Sequence, residues 1–255
     1  ALSVFQAWFL TLIFFFFLDR ERRGNLWLAL LLFFFGLMMA ENVMWWTRYI
    51  YHFPHFCMLS LQVPFLFGPL MWFYQRWVYE RYFPRGADYL YFLPFFIAIL
   101  PFLPWYFTDA AGKLEDFSQK GGYPIASWVR SLILYARLLY LGGFAMLIIR
   151  YAYQQAKVDA HIQRWTRGLA WAFLGFAVFY ASYFVMVRFS FFNLSWDYQI
   201  SLAMTFFVFF IAYAGYTQPE VFDGLGWKNP VLVIKILSSA LPQSVLLTIE
   251  RKLVE

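Results

Sequence analysis

Seven apolar stretches, separated by short polar segments, follow one another along most of the chain. They run over residues 2–18, 26–46, 57–74, 89–107, 126–149, 169–187 and 198–216. Each approaches or meets the length of about 20 apolar residues that a helix needs to cross a bilayer. The aromatic run 14–17 has strand propensity, but the length of its stretch favours a helix. The pattern predicts an all-α polytopic membrane protein, with one seven-transmembrane helix bundle over residues 1–216.

The pattern changes after the last apolar stretch, over residues 217–255. Pro219 ends the seventh span, and Gly224 and Gly226 follow it as a loose joint. Apolar residues over 245–253 then recur at helical spacing, which predicts a short amphipathic cytoplasmic helix. Such a helix either lies on the inner leaflet or begins an output domain. Its few bulky apolar and basic residues favour the second alternative.

Composition supports the membrane class. Hydrophobic residues make up 63% of the chain and charged residues only 13%, too few to cover the surface of a soluble domain. The net charge of +6 would suggest nucleic acid in a soluble protein. In a membrane protein, surplus Lys and Arg normally lie in cytoplasmic loops beside anionic lipid. We therefore expect the lipid bilayer to be the main partner of the chain.

The positions of the basic residues predict the orientation. Most loop Lys and Arg fall on one side of the predicted spans: Arg20, Arg22, Arg23, Arg76, Arg81, Arg85, Arg150, Lys157, Arg164, Arg167, Lys228, Lys235, Arg251 and Lys252. The other side has only Arg48, Lys113, Lys120 and Arg188. The positive-inside rule then predicts an N-out/C-in protein, multi-pass in a bacterial inner membrane.

Few polar side chains lie inside the predicted spans, and these are the candidates for function because burying them in lipid is costly. Glu41 and Asn42 lie near the outer end of the second span. Arg130 and Arg137 share one face of the fifth, and Gln62 lies on the third. One interpretation is an outer cavity in which the arginines bind a small anionic or polar ligand and Glu41 holds them in place. The alternative is a Glu–Arg bridge that only orders the bundle; both place Glu41 towards the fifth span.

Other polar residues of the sixth and seventh spans could line the same outer cavity. They are Ser182, Tyr183, Gln199 and Thr205. Each alone is more often an interhelical hydrogen bond than a ligand contact.

Prolines concentrate in the third and fourth predicted spans. They are Pro64, Pro69, Pro94, Pro101 and Pro104. Prolines in membrane helices make either ordinary kinks or hinges that gate a conformational change. As candidates for a hinge that transmits a signal we take Pro64, Pro69 and Pro219.

The remaining residues favour no catalytic, metal or cofactor chemistry. The single Cys57 excludes an internal disulfide. His52 and His55 flank a proline in an outer loop without the further ligands that a metal needs. Without a catalytic motif either, we expect no enzyme activity and no cofactor. The longest predicted outer loop, residues 108–124, is Gly-containing and mixed in charge, which predicts a solvated, mobile segment.

Several short motifs resemble one family. The run 64–70, PFLFGPL, resembles its third-helix signature, and residues 90–95, LYFLPF, match the opening of its fourth helix with Tyr91 in place of a histidine. Residues 218–222, QPEVF, are similar to its exit from the seventh helix, and 235–253 to the linker after it. The family joins a seven-helix membrane sensor to a cytoplasmic AraC-type helix-turn-helix domain and is common in Bacteroidetes.

The resemblance implies a module for transcription regulation. An external or membrane signal would change helix packing, and the seventh helix would pass the change to an output domain outside these 255 residues. DNA binding would belong to that domain, so we expect no nucleic-acid contact here. The competing hypothesis is a non-catalytic accessory or scaffold subunit that packs against other membrane subunits or against copies of itself. A transporter is disfavoured because no internal repeat is evident.

Overall fold

The computed structural model describes residues 1–16, 24–119, 125–155, 160–189 and 198–217, and within these ranges all regular structure is helical. The α-helices are α1 (Leu2–Phe16), α2 (Asn25–Trp46), α3 (Pro64–Glu80), α4 (Leu93–Ile99), α5 (Leu103–Tyr106), α6 (Ala110–Gln119), α7 (Ser127–Gln154), α8 (Ala160–Met186) and α9 (Tyr198–Thr217). Short 3-10 helices cover Tyr49–Tyr51, Pro54–Phe56, Gly86–Phe92 and Leu100–Phe102. The predicted hinge residue Pro219 and the predicted helix over 245–253 lie outside the described residues.

Four helical segments are long and apolar enough to cross a membrane. They are Asn25–Trp46, Gly86–Tyr106, Ser127–Gln154 and Ala160–Met186. Two further apolar helices, Leu2–Phe16 and Tyr198–Ala214, are shorter. The regular structure of the described part of the chain is therefore all helical, and four of its helical segments have the length and hydropathy of membrane-spanning helices.

The long helices form a closed ring. Going round it, α1 contacts α2, α2 contacts α3, α3 contacts α7, α7 contacts α8, α8 contacts α9, and α9 returns to α1. Aromatic side chains fill its centre: the ring of Phe35 lies 4.4 Å from that of Phe67, 4.9 Å from Phe176 and 5.3 Å from Phe207, measured between centroids. Such pairs each stabilise by about 0.5–1.5 kcal/mol beyond simple burial.

Helix α3 is the most buried helix of the ring. Only Gly fits at position 68, because a Cβ there would lie 2.6 Å from Cγ of Phe144 on α7. Pro64 occupies the first turn of α3, where its missing N–H costs nothing, so it begins the helix and does not kink one. Pro69 lies inside the helix and removes the hydrogen bond that would reach the carbonyl of Phe65. Of the two hinge residues predicted in this span, only Pro69 is therefore placed to bend a helix.

The predicted fourth span is not one α-helix. It runs from Gly86 to Tyr106 as alternating 3-10 and α-helical pieces. Pro94, Pro101 and Pro104 each lie in the first turn of a new piece. Proline favours the first helical turn and breaks the hydrogen-bond ladder of the preceding one, which explains the repeated restarts.

The predicted solvated loop 108–124 contains a helix, α6. The side chain of Asp109 begins it by accepting a hydrogen bond from the N–H of Gly112 at 3.1 Å. Lys113 on this helix is only 1% exposed and packs against Trp105 and Tyr106. The prediction of a solvated segment is wrong for Lys113, because it gave weight to Gly and charge and missed the Asp cap. Residues 120–124 of the segment lie outside the described residues.

Candidate functional site

Four helix ends, the segment before α3 and Phe102 surround one cavity of about 840 Å³. The C-terminal ends of α2 and α8 and the N-terminal ends of α7 and α9 meet there, together with the segment before α3. A volume of this size is typical of small-molecule binding sites. The wall is mixed: apolar side chains such as Phe102, Leu134 and Phe184 alternate with charged and amide groups.

All five residues predicted as ligand-binding line this cavity: Glu41, Asn42, Gln62, Arg130 and Arg137. Of the four further candidates, Tyr183 also lines it. Gln199 donates instead to Ser182 Oγ at 2.7 Å and joins α9 to α8. The hydroxyl of Thr205 donates to the carbonyl of Ser201 at 2.8 Å, within its own helix.

The carboxylate of Glu41 is bound by the chain before α3. One oxygen accepts the N–H of Met58 at 2.7 Å. The other accepts the N–H of Ser60 at 2.7 Å and its hydroxyl at 2.6 Å. The expected bridge from Glu41 to an arginine is therefore not how this carboxylate is satisfied. Glu41 shares the cavity with the arginines but anchors a loop.

Arg137 is buried inside the cavity wall, with 5% of its surface exposed. It donates a hydrogen bond to the carbonyl of Leu61. Its guanidinium carbon lies 5.7 Å from the ring centroid of Tyr180 and 5.6 Å from that of Phe184, which favours a cation through the ring quadrupole. Its Nε is buried without a hydrogen-bond partner.

Gln62 is the second side chain of the cavity wall that has buried polar atoms without a hydrogen-bond partner. It is 2% exposed, and neither its amide nitrogen nor its amide oxygen has a hydrogen-bond partner. Asn42 differs, because its amide nitrogen donates to Ser201 Oγ at 2.9 Å and ties α2 to α9. A buried amide without partners costs free energy, so Gln62 is competent to bind a polar ligand group.

Two more arginines lie at the exposed end of the cavity. Arg130 is exposed and lies two helical turns before Arg137 on α7. Arg188, which follows α8, donates to the hydroxyl of Tyr135 at 2.9 Å. In the sequence Arg188 is predicted only as a loop cation, and nothing in its local sequence places it at the cavity.

Helices α5 and α6 pack on the segment 54–58 beside the cavity, and together these residues form what we call the cap. The hydroxyl of Tyr106 donates to the carbonyl of Met58 at 2.8 Å. The ammonium of Lys113 donates to His55 Nδ1 at 3.1 Å and to the carbonyl of Tyr106 at 3.0 Å, and lies 5.0 Å from the ring centroid of Trp105. Burial lowers the pKa of Lys113 from its usual value. No sequence signal pointed to these contacts, which join residues far apart in the chain.

Within the described ranges, no group of three or more His, Cys, Asp or Glu side chains could hold a metal ion. Comparisons of the chain with protein-family models, curated proteins and solved structures found no match. The geometry of the cavity is therefore the basis for the functional proposal.

Proposed function

We propose that this protein is a membrane-embedded sensor that binds a small ligand in the cavity next to Arg137 and passes the binding event to a cytoplasmic output domain. The observation that carries the proposal is the buried guanidinium of Arg137, which lines a cavity of about 840 Å³ and keeps an unsatisfied Nε. Intramembrane charge is expensive and generally marks a functional site.

The proposed topology has seven spans, N-out and C-in, in a bacterial inner membrane. Three shorter helices, α1, α3 and α9, would complete the four long segments. The alternation of helix ends at the cavity is consistent with this topology, since α2 and α8 end there and α7 and α9 begin there. The cavity then faces the outside, where an external ligand enters.

Helix α3 supplies a physical route for the signal. Arg137 holds the carbonyl of Leu61, three residues before α3 begins. At the far end of α3, Gln75 donates to the carbonyl of Thr166 at 3.1 Å, and Trp165 donates to the hydroxyl of Tyr74 at 2.9 Å. A ligand that draws the guanidinium away from Leu61 would release the start of a rigid, buried helix whose other end is bonded to α8.

The nature of the output follows from the family resemblance alone. By their resemblance to the family, the motifs over 64–70 and 218–222 favour an AraC-type DNA-binding domain outside these 255 residues. On this proposal the residues present bind lipid and ligand, not nucleic acid.

The first test is the intact mass of the natively purified protein, with peptide mapping beyond Glu255. A helix-turn-helix region in the mapped peptides is the expected result. A protein that ends at Glu255 and copurifies in fixed ratio with other membrane subunits would instead establish the accessory-subunit function.

The second test is the transcript profile of cells that carry Arg137→Gln. We expect it to approach the profile of cells lacking the protein, because the ligand site and the bond to Leu61 are both lost. The matched control is Arg164→Gln, which removes an exposed charge at the other end of α8. Equal effects of the two variants, or no effect of either, would contradict sensing through this cavity.

A further inference from the structure

The electrostatic character of the cavity indicates what kind of ligand it takes. Its described wall contains three arginines, Arg130, Arg137 and Arg188, and one carboxylate, Glu41. That carboxylate already accepts three hydrogen bonds from Met58 and Ser60. Among the described residues of the wall, arginines therefore outnumber carboxylates, and Arg137 lies in its desolvated part, which favours an anion.

Arg137 provides the strongest attraction for that anion. Among the described residues, no carboxylate lies within ion-pair distance of its guanidinium. One carbonyl and two aromatic rings are weak compensation for a charge that is 5% exposed. A carboxylate or phosphate oxygen would satisfy the free Nε and neutralise the charge together, through charge-assisted hydrogen bonds.

Gln62 adds a neutral donor on the same wall. Its amide nitrogen has no partner, and a bound oxyanion would accept from it. Two unsatisfied buried donors on one cavity wall, on residues 75 positions apart in the chain, are difficult to explain by packing alone.

The rest of the wall suits an apolar body. Phe102, Leu134, Phe184 and Ile200 line the same space. A small, fully hydrated anion would leave these side chains against water, whereas an apolar tail would remove them from it at a gain of about 25 cal/mol per Å². Arg130 and Arg188, at the exposed end, would attract the charged group from solution.

We infer that the cavity binds an amphiphilic oxyanion, a carboxylate or phosphate carrying an apolar body, with its charged group held by Arg137 and Gln62. The inference rests on the proposed function only for the role of this ligand as the signal. Both ligand types present an oxyanion to the cavity. The probes below distinguish a carboxylate ligand from a phosphate ligand, and both of these from free inorganic phosphate.

The test uses the full chain in lipid nanodiscs and a thiol-reactive dye. Cys57 is the single cysteine of the chain and is fully buried, so the dye reacts as the protein unfolds. The probes are dodecanoate, dodecyl phosphate, dodecanol and inorganic phosphate, each added below its micellar concentration. We expect at least one of the two amphiphilic anions to raise the unfolding midpoint, and dodecanol and inorganic phosphate to leave it unchanged.

Variants then locate the charged group. Arg137→Gln is expected to weaken binding about 10- to 100-fold, since hydrogen bonds to a charged group are lost. Arg137→Lys should restore part of the affinity, and Gln62→Met should weaken binding without removing charge. Arg164→Gln is the matched control and should bind as the wild type does. The lysine and methionine variants keep the test decisive if the glutamine variant fails to fold.

Each contrary result would overturn a specific part of the inference. Equal stabilisation by dodecanol and dodecanoate would exclude the oxyanion, and equal stabilisation by inorganic phosphate and dodecyl phosphate would exclude the apolar body. If none of the probes stabilises the protein, the proposed ligand class is wrong. The sensor function is then decided by the transcript experiment. Binding that depends on Arg137 without any transcript response would retain the ligand class and overturn the sensor.

Discussion

Glu41 shows at the scale of one residue how a charge can be held inside a membrane protein. Its carboxylate accepts two backbone N–H groups and a hydroxyl, all from the short segment Met58 to Ser60. These contacts offset part of its desolvation without a cation. The same contacts hold the segment that carries Leu61, the carbonyl partner of Arg137.

Replacing Glu41 by Gln should therefore destabilise the fold. In the variant, the amide NH₂ group would face an N–H donor that now donates to a carboxylate oxygen, so one hydrogen bond is lost. We expect the free energy of unfolding to fall by about 1.5–3 kcal/mol, the contribution of one hydrogen bond to a charged group. Unfolding of the full chain in denaturant would measure it. Glu80→Gln is the matched control, because Glu80 pairs with Arg76 near the helix surface, and its loss should cost less than about 0.5 kcal/mol. Similar losses in both variants would argue against the anchoring role.

Lys113 makes the stability of the cap depend on pH. Burial lowers its pKa, so the unfolded chain binds more protons than the folded one between the folded pKa and the usual lysine value. Stability is therefore expected to rise with pH through that interval.

The prediction for Lys113 is that Lys113→Met flattens this rise, because methionine does not titrate. Thermal midpoints from tryptophan fluorescence, taken between neutral pH and about pH 10, would measure both slopes. Parallel pH profiles for the wild type and the variant would show that other groups cause the dependence.

At the scale of elements, close packing of α3 on α7 sets the frame in which the cavity forms. Gly68 lets the two helices approach, since an added Cβ would meet Cβ and Cγ of Phe144 at 2.7 and 2.6 Å. These atoms lie near the backbone of α7 and cannot swing away as the end of a flexible side chain could.

Gly68→Ala should therefore push the helices apart and destabilise the bundle by about 1–3 kcal/mol, the usual cost of overpacking. Gly142→Ala on α7 is the matched control, because nothing lies within 4 Å of the added Cβ there. The control should be neutral or slightly stabilising, since alanine is the better helix former. Thermal unfolding of both variants would measure the difference, and equal stability would show that α3 and α7 tolerate separation.

At the scale of the whole molecule, the proposed topology makes a prediction about sidedness. Thr47 and Ala87 are both exposed and lie at opposite ends of the bundle, after α2 and before α4 respectively. In a Cys57→Ala background, Thr47→Cys should react with an impermeant maleimide from outside sealed spheroplasts. Ala87→Cys should react only after permeabilisation. The reverse labelling would invert the proposed orientation, and labelling of both from one side would contradict the alternation of spans.

The amino-acid sequence by itself determined the class of the protein. The length of an apolar run and the cost of placing charge in lipid are local properties, so the helical membrane class followed from the pattern. For the same reason the few intramembrane polar residues could be selected, and Glu41, Asn42, Gln62, Arg130 and Arg137 meet at one cavity.

Only the tertiary structure decided which partner each of these groups has. Glu41 meets Met58 and Ser60, Arg137 meets Leu61, and Lys113 is buried against His55. These contacts depend on how each helix is rotated and on how the chain between helices folds back. Helical periodicity gives the face a residue occupies but not the backbone atoms that face it across the bundle.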